Sequence, residues 1–359
     1  MKRTLALARK GVGKTSPNPM VGAVVVKKGR IIGEGYHQFF GGPHAETVAL
    51  ANLTKRQTTG ATLYVNLEPC CHYGKTPPCS EPILNSGIAK IVIGIIDPNP
   101  CVFGQSIQEF RKYGIEIVTG VLETECRELN RGYLKHITTG LPWVTVKIAQ
   151  TLDGRIADPQ GKSQWISGEL ARKAVHRLRA SHDAVLVGIG TVKKDNPQLT
   201  VREVKGPQPR RVVLDPHLDI PLDSALFQDS TTNPVWIITS KHADSERKTS
   251  LESRNIKVLE VPENHPPFAW EPILRLLGNN GITSVLVEGG GIVFTGLLRE
   301  NLADRVIINI APKLLGNSAL PAISDLGISA LDDAYRYRII THRRMGDDLW
   351  IELEPKKQI

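Results

Sequence analysis

Three potential metal ligands and one carboxylate constrain the fold of this chain more than any other feature. His44 stands two residues before Glu46, and Cys70 and Cys79 follow much later in the chain. One imidazole and two thiolates hold a zinc ion only when their ligand atoms lie within a few ångströms of one another. The chain must therefore fold so that the segment around residue 44 meets the segment from residue 70 to residue 79.

The residues around these ligands predict where helices begin and strands end. A proline suits the first helical turn because it lacks an N–H, so the run 43–55 is predicted to be a helix with His44 in its first turn. Thr62–Leu67 is predicted to be a short strand that delivers Cys70 to its carboxyl end. A second helix is predicted to begin near Cys79, after two prolines. Helix N-termini favour thiolates, so both positions suit a metal.

The order His-x-Glu, then Pro-Cys, then Cys is typical of hydrolytic zinc deaminases. Three protein ligands leave the fourth zinc position to water, and the metal lowers the pKa of that water toward neutrality. We expect Glu46 to carry the water's proton to the departing amine. Cys71 remains a rival ligand, because the short form of the signature places only two residues between its cysteines. The alternative without metal is a buried histidine among cysteines that act as small core residues.

Composition limits the remaining classes of protein. A chain of 359 residues suggests two domains, and 41% hydrophobic with 23% charged residues is typical of globular proteins. No run approaches the roughly 18–20 apolar residues that span a bilayer, so we expect no membrane partner. All five cysteines lie within the first 126 residues. Their odd number and crowding favour a reducing compartment, and we expect a cytoplasmic protein.

The net charge of +9 admits nucleic acid or phosphorylated small molecules as partners. The positive residues are spread along the chain and aromatic residues make up only 5%, so we expect no nucleic-acid partner. Two other functions remain as alternatives. One is a nucleic-acid deaminase whose second half only binds. The other is a protein with a structural metal, against which Glu46 argues, because a structural site needs no base beside its ligands.

Motifs spread along the chain resemble those of the bifunctional riboflavin-biosynthesis deaminase–reductases. They lie at 16–22, 66–79, 97–100, 163–167, 191–197 and 287–290. The long insert between Cys70 and Cys79 is similar to that of this family and unlike those of cytidine and tRNA deaminases. Two departures are visible. Cys71 stands where the family usually has serine, and Thr47-Val48 stands where a second histidine often follows.

The resemblance implies a two-domain α/β fold. It implies an N-terminal cytidine-deaminase-like α/β/α sandwich and a C-terminal dihydrofolate-reductase-like α/β domain. Alternating strand and helix signals in both halves agree with this expectation. The short Gly- and Pro-containing segment 138–142 is the predicted boundary, which gives a deaminase domain over 1–139 and a reductase domain over 143–359.

The resemblance also implies the reactions and the deaminase site. They are hydrolytic deamination of 2,5-diamino-6-ribosylamino-4(3H)-pyrimidinone 5′-phosphate and NADPH-dependent reduction of its ribosyl group to ribityl. One zinc ion per chain is expected on His44, Cys70 and Cys79, with Glu46 as the catalytic group. Expected contacts to this phosphorylated pyrimidine are Asn18, His37, His72 and Lys75. The family further implies a homo-oligomer.

For the reductase site the resemblance implies a cofactor side and a sugar-phosphate side. The cofactor side comprises Ala149, Trp165, Thr191, Asp195, Gly290, Gly291, Ile292, Val293, Phe294, Thr295 and Gly296. The substrate side comprises Ser163, Arg179, Leu199, Arg202 and Glu288. Lys147 lies close by, and Asp195 or Lys147 is expected to supply the proton for the reduction.

General chemistry supports the expected roles of some of these residues and leaves alternative interpretations for others. A glycine turn before a helix lets backbone N–H groups approach a pyrophosphate, and arginine suits phosphate. The alternatives are a structural glycine turn, solvated arginines, a plain turn at 195–197 and a core position for Trp165. Pro216 follows Asp215 where relatives often offer a hydroxyl, so the preference for NADPH over NADH stays open. The residues that could replace this hydroxyl in recognising the 2′-phosphate of NADPH are Thr239, Ser240 and Lys241.

Overall fold

The computed structural model describes residues 1–71, 77–261 and 269–356. The chain divides into two compact units, Met1–Gly140 and Leu141–Ile359. Both units combine strands and helices, which confirms the predicted α/β class. Within the described ranges, no helix has both the length and the apolar character that crossing a membrane requires.

The first unit is a five-stranded sheet with helices packed against it. Its strands are β1 (Gly22–Lys27), β2 (Arg30–Tyr36), β3 (Thr62–Leu67), β4 (Lys90–Ile95) and β5 (Glu116–Val118). Its helices are α1 (Lys2–Ala8), α2 (Ala45–Leu50), α3 (Lys55–Thr58), α4 (Ser80–Ser86), α5 (Gln105–Lys112), α6 (Glu123–Leu129) and α7 (Arg131–Thr139). The strand order is β2-β1-β3-β4-β5, in which β3, β4 and β5 are parallel. The residues that follow β3 and β4 therefore meet at the same edge of the sheet.

Two glycines in β2 allow α2 to approach the sheet closely. A Cβ added to Gly33 would lie 2.3 Å from the Ala49 carbonyl oxygen, and one added to Gly35 would lie 2.3 Å from that of Ala45. Because side chains alternate along a strand, both glycines present bare backbone on the same face. This face fixes how near the sheet α2 lies, and α2 carries Glu46 in its first turn.

One predicted helix of this unit is wrong in extent. The helix predicted over 43–55 is the shorter α2, with His44 as its N-cap residue and a separate α3 after it. Later in this unit the chain leaves helical geometry at Asn130, which separates α6 from α7. The side chain of Asn130 accepts a hydrogen bond from the Met20 N–H at 2.8 Å and donates one to the Met20 carbonyl at 3.0 Å. These contacts with a distant segment hold Asn130 outside helical geometry.

The second unit is built on a nine-stranded sheet with a small two-stranded sheet beside it. Its strands are β6 (Trp143–Thr151), β7 (Arg155–Ala157), β8 (Ala184–Gly188), β9 (Arg210–Leu214), β10 (Val235–Thr239), β11 (Lys257–Glu260), β12 (Ser284–Val287), β13 (Arg305–Ala311), β14 (Leu320–Pro321), β15 (Tyr337–Met345) and β16 (Asp348–Pro355). Its helices are α8 (Glu169–Ser181), α9 (Ile189–Asp195), α10 (Ser245–Glu252), α11 (Trp270–Asn279) and α12 (Gly291–Arg299).

The order of the large sheet places the segments of the predicted reductase site side by side. It runs β11-β10-β9-β8-β12-β6-β13-β16-β15, parallel from β11 to β13 and antiparallel beyond. Parallel strands put their carboxyl ends at one edge, where ligands bind in open α/β sheets. The ends of β8, β12 and β6 therefore lie together. The sequence did not predict α9, α10 or β13, and α9 has only Val192 buried, so it lacks an apolar repeat.

Candidate active sites

The three predicted metal ligands lie together in the first unit. His44 precedes α2, Cys70 follows β3 and Cys79 is the N-cap residue of α4. Their ligand atoms all lie within 4.8 Å of one another. Nδ1 of His44 is 3.4 Å from Sγ of Cys70 and 2.9 Å from Sγ of Cys79. Nitrogen and sulfur ligands of tetrahedral zinc lie roughly 3.5 Å apart, so the donor set and its spacing fit zinc.

Hydrogen bonds within this cluster favour a thiolate. The pKa of Cys70 falls to about 4, first because the Cys79 thiol donates a hydrogen bond to it. The backbone N–H of Cys79 donates to the same sulfur at 3.3 Å. The same pairing raises the pKa of Cys79 well above its ordinary value. The pair therefore holds one negative charge and one proton, and a divalent cation would displace that proton on binding.

Glu46 lies beside the ligand cluster in a nearly dry position. Its side chain is 3% exposed and it borders the same cavity as His44 and Cys70. Burial, followed by the charge of Cys70, raises the pKa of Glu46 to about 7. A carboxyl group with a pKa near neutrality can both accept and return a proton, which is the requirement for a hydrolytic deaminase.

Cys71 faces away from the cluster. Its sulfur lies 3.9 Å from both the Cys101 carbonyl oxygen and Oε1 of Gln105. Over the described ranges, the one group of three close His, Cys, Asp or Glu ligands is His44, Cys70 and Cys79. The alternative that Cys71 serves as a zinc ligand therefore finds no support.

A cavity of about 390 Å³ opens beside the ligand cluster. The predicted residues that border it are Asn18, His37, His44, Glu46 and Cys70. Of these, His37 is only 2% exposed, and both of its ring nitrogens have protein partners. The predicted contacts His72 and Lys75 lie outside the described residues.

A second polar network borders this cavity and was not predicted. Glu68 accepts hydrogen bonds from the backbone N–H groups of Asp97 at 3.3 Å and Gly104 at 3.0 Å. It also accepts one from the hydroxyl of Ser106 at 2.8 Å. The Tyr133 hydroxyl donates to the Asp97 carboxylate at 2.9 and 3.0 Å. Glu68 and Asp97 stand in two of the motifs, but their pairing follows from β3 and β4 being neighbours.

The second unit contains a larger cavity, of about 1220 Å³, at the carboxyl edge of its sheet. Every residue predicted for the reductase site borders it. These residues are Lys147, Ala149, Ser163, Trp165, Arg179, Thr191, Asp195, Leu199, Arg202, Glu288, Gly290, Gly291, Ile292, Val293, Phe294, Thr295 and Gly296. Residues separated by about 150 positions in sequence therefore share one site.

Arg179 and Glu288 bind each other within this cavity. Nε and Nη2 of Arg179 donate to the two carboxylate oxygens at 2.7 and 2.8 Å, and Nη1 donates to the Thr200 carbonyl at 3.0 Å. Three of the five N–H groups of Arg179 thus donate to protein oxygens, and direct phosphate binding by this residue stays a prediction. Arg202 is exposed, and over the described ranges its side chain donates only through Nη1, to Gln198 and Thr200.

The two candidate proton donors have different surroundings. Asp195 ends α9 and accepts a hydrogen bond from the Ser163 hydroxyl at 3.0 Å. Burial raises its pKa above the ordinary value. Lys147 lies in β6 with 9% exposure, and burial lowers its pKa while the charge of Glu288 opposes that effect.

The glycine turn before α12 is shaped by close packing. Gly290 has a φ of +85°, and a Cβ on Gly289 would lie 2.7 Å from Oγ1 of Thr191. A Cβ on Gly291 would lie 3.0 Å from the Pro321 carbonyl oxygen. The turn therefore needs glycine for its backbone, and its residues border the cavity together with the first turn of α12.

Trp165 is not a core residue. It is 63% exposed, borders the cavity and stacks against the guanidinium of Arg172, which lies 4.7 Å from the ring centre. Arg172, His176 and Arg179 all border the cavity from α8. The sequence analysis did not identify Arg172 or His176. Their spacing of four and then three residues, which places them on one helical face, could have identified them.

The residues considered for cofactor preference are engaged with the protein itself. Asp215 accepts hydrogen bonds from the N–H groups of Asp219 and Ile220 at 2.9 and 2.8 Å. The hydroxyls of Thr239 and Ser240 both donate to the Pro216 carbonyl at 3.0 Å. They are therefore not free donors for a 2′-phosphate.

Comparison with known proteins identifies both units. A family model described as the RibD C-terminal domain matches residues 142–351. A model described as the cytidine and deoxycytidylate deaminase zinc-binding region matches residues 1–95. Riboflavin biosynthesis protein RibD of Aquifex aeolicus is 44% identical over 98% of this chain and 96% of its own length. The RibD of Escherichia coli is 37% identical over 98% of both chains.

Solved structures agree over the whole length. Acinetobacter baumannii RibD superposes with a TM-score of 0.89 at 36% identity and covers 99% of this chain and 98% of that one. A Thermotoga maritima protein has a TM-score of 0.87 at 41% identity and covers 99% and 97%. That protein is described as a diaminohydroxyphosphoribosylaminopyrimidine deaminase and 5-amino-6-(5-phosphoribosylamino)uracil reductase.

Proposed function

This chain belongs to the RibD family, whose members join a deaminase and a reductase of riboflavin biosynthesis, and we propose from this premise how its residues perform the two reactions. The observation that carries the proposal is the convergence of His44, Cys70 and Cys79 beside the buried carboxyl of Glu46. The substrate is 2,5-diamino-6-ribosylamino-4(3H)-pyrimidinone 5′-phosphate, and the final product is 5-amino-6-(5-phosphoribitylamino)uracil.

The first unit removes the amine by hydrolysis. Zinc, when bound, supplies a Lewis acid that lowers the pKa of water toward neutrality. His44, Cys70 and Cys79 would hold the metal, and Glu46 would take a proton from water and return it to the departing amine. The dry position of Glu46 supports this role, because burial keeps its pKa near 7.

The second unit reduces the ribosyl group. NADPH, when bound, supplies a hydride to C1′ of the sugar. The glycine turn at 289–291 and the first turn of α12 would hold the cofactor phosphates, and the exposed Arg202 would bind the phosphate of the substrate. Glu288 orients Arg179 through two hydrogen bonds rather than leaving it free. Asp195 or Lys147 supplies the proton.

Mass spectrometry of the two reactions tests the proposal. The zinc-loaded protein is incubated with the diaminopyrimidine phosphate in water labelled with oxygen-18, with and without NADPH. We expect amine loss with incorporation of labelled oxygen in both tubes, and reduction only where NADPH is present. Deamination without reduction would overturn the role of the second unit. No reaction in either tube would favour the nucleic-acid alternative, which a salt-dependent oligonucleotide binding assay then tests.

We further propose that the chain forms a homo-oligomer through β15. This strand is the last of nine, so over the described ranges no strand pairs with its outer edge. Ile339 and Ile340 lie at an irregularity of this strand and are 60% and 41% exposed. Such an edge can pair with a second copy of itself about a two-fold axis. Light scattering should show an oligomer that Ile339→Lys converts to monomer, and a monomeric parent protein would contradict the proposal.

We also propose a cytoplasmic location. The five cysteines are all unpaired thiols, and a reducing compartment keeps them so. Fractionation of cells that express the chain should place it with cytoplasmic markers.

A further inference from the structure

His176 holds the backbone of Arg202 at the edge of the reductase cavity. Arg202 lies between α9 and β9, in a segment that belongs to neither a helix nor a strand. Its backbone N–H donates a hydrogen bond to Nδ1 of His176, on α8, at 3.0 Å. The imidazole is only 5% exposed, and both residues border the cavity. Side chains must supply the hydrogen bonds of an irregular segment, so this contact helps to fix the course of the chain.

A second side chain fixes the residue before Arg202. The backbone N–H of Val201 donates to Oε1 of Gln208 at 2.7 Å, and Nε2 of Gln208 donates to the Val201 carbonyl at 2.8 Å. Three consecutive backbone groups are thus bound by side chains, namely the N–H and the carbonyl of Val201 and the N–H of Arg202. The last of these three contacts depends on the imidazole of His176.

This hydrogen bond requires one form of the imidazole. A ring nitrogen that accepts carries no hydrogen, so the hydrogen of neutral His176 must lie on Nε2. Nε2 is 3.7 Å from Oε1 of Glu203, which is too far for a hydrogen bond. Burial, followed by the charge of Arg179, lowers the pKa of His176. Arg202 acts in the same direction, and Glu203 and Glu288 act against it. The ring is therefore neutral, and able to accept, at neutral pH.

The guanidinium of Arg202 keeps donors for a ligand. Among the residues that the structure describes, its side chain donates only through Nη1, to Gln198 at 2.8 Å and to Thr200 at 2.9 Å. Nε and Nη2 therefore retain N–H groups, and a guanidinium suits phosphate. Because the backbone of Arg202 is fixed, less freedom is lost when these groups bind an anion at the cavity edge.

We propose that His176 is a positioning residue for the substrate phosphate in the reductase, because it holds Arg202 where the guanidinium can bind that phosphate. The inference rests on the reductase function proposed above. Nδ1 of His176 is used by Arg202, and Nε2 lies on the side of Glu203, so the effect of the imidazole on substrate passes through Arg202. It concerns binding of the phosphorylated intermediate and not the transfer of hydride.

Steady-state kinetics of the reduction test this role. The full-length zinc-loaded protein reduces the supplied deaminated intermediate with NADPH, and His176→Leu is compared with His176→Asn. Oδ1 of asparagine lies two bonds from Cβ, as Nδ1 of histidine does, so asparagine can still accept from the Arg202 N–H. We expect His176→Leu to raise KM for the intermediate about ten-fold, with kcat and KM for NADPH unchanged, because a charged contact is misdirected. His176→Asn should recover most of this loss, and equal losses in both variants would overturn the proposal.

Two comparisons separate the phosphate from general damage to the fold. The double variant of His176→Leu with Arg202→Ala should have no higher KM than Arg202→Ala alone, because the imidazole acts through Arg202. With an intermediate that lacks the 5′-phosphate, His176→Leu and the parent protein should react at equal rates. A loss that is additive, or that persists without the phosphate, would overturn the proposal. His242→Leu removes an exposed imidazole of the same unit and should leave every constant at the parent level.

Nitrogen-15 NMR of histidine-labelled protein tests the hydrogen bond without turnover. The signals that are missing from the spectrum of His176→Asn belong to His176. We expect an unprotonated Nδ1 and a protonated Nε2 at neutral pH. The opposite tautomer, or a doubly protonated ring, would overturn the proposal. A parent protein that does not reduce the intermediate would contradict the proposed function, while the NMR result would still decide whether His176 binds the Arg202 backbone.

Discussion

Glu46 is the residue whose role can be separated most clearly from metal binding. It lies beside the zinc ligands but is not one of them. Glu46→Gln keeps the size of the side chain and removes its ability to accept a proton. We expect deamination to fall by about 10² to 10⁴-fold with zinc content unchanged. Metal analysis and kinetics on the same sample check this, and loss of zinc along with activity would contradict a purely catalytic role.

Neighbouring cysteines should respond differently to the same substitution. Cys70→Ser removes a ligand atom of the cluster, and we expect the purified protein to lose most of its zinc. Cys71→Ser is the matched control, because the Cys71 sulfur points toward Cys101 and Gln105 instead. It should retain one zinc per chain. Equal zinc loss in both variants would mean that Cys71 also binds the metal.

The pH dependence of the reduction should identify its proton donor. Burial raises the pKa of Asp195 above 3.8 and lowers that of Lys147 below 10.5. An acid donates only below its own pKa, so the rate falls as pH rises through that value. A donor at Asp195 therefore predicts a decline at a pH above 3.8, and a donor at Lys147 predicts a decline at a pH below 10.5. Asp195→Asn should abolish the decline only in the first case.

At the scale of elements, the contact between β2 and α2 controls the deaminase site. Gly35→Ala would place a methyl group 2.3 Å from the Ala45 carbonyl oxygen and push α2 outward. We expect the first unit to lose about 1–3 kcal/mol of unfolding free energy, and deamination to weaken with it. Gly168→Ala is the control, because its Cβ would meet only an ordinary contact of 3.6 Å with Asp348. Thermal unfolding compares the two, and equal stability would show that the close approach is not needed.

The elements that the sequence predicts well are those with strong local signals. The bounds of β3 match the predicted strand Thr62–Leu67, because this is a largely apolar run of the right length. The break at Asn130 was missed because its cause is a hydrogen bond to Met20, far away in sequence. The metal cluster could be predicted because ligand chemistry restricts residue type and spacing. The Glu68 network could not, since Ser106 and Tyr133 carry no signal until β3 and β4 are neighbours.

At the scale of the whole molecule, metal removal should separate the two activities. The zinc ligands all lie within Met1–Gly140, and the NADPH cavity lies within Leu141–Ile359. A strong chelator should abolish deamination and leave reduction of the supplied deaminated intermediate at its original rate. Added zinc should restore the first activity. Loss of both activities on chelation would show that the second unit depends on the metal.

The division of one chain into two such units also has a kinetic meaning. Every molecule that carries a deaminase site carries one reductase site, so changes in expression cannot alter their ratio. At given concentrations of substrate and NADPH, the standing concentration of the deaminated intermediate then depends on the rate constants of the two sites and not on the amount of protein. A mutation that slows only the reductase raises that concentration, and one that slows only the deaminase lowers it. Because one chain carries both sites, its amino-acid sequence sets the balance between the two consecutive steps.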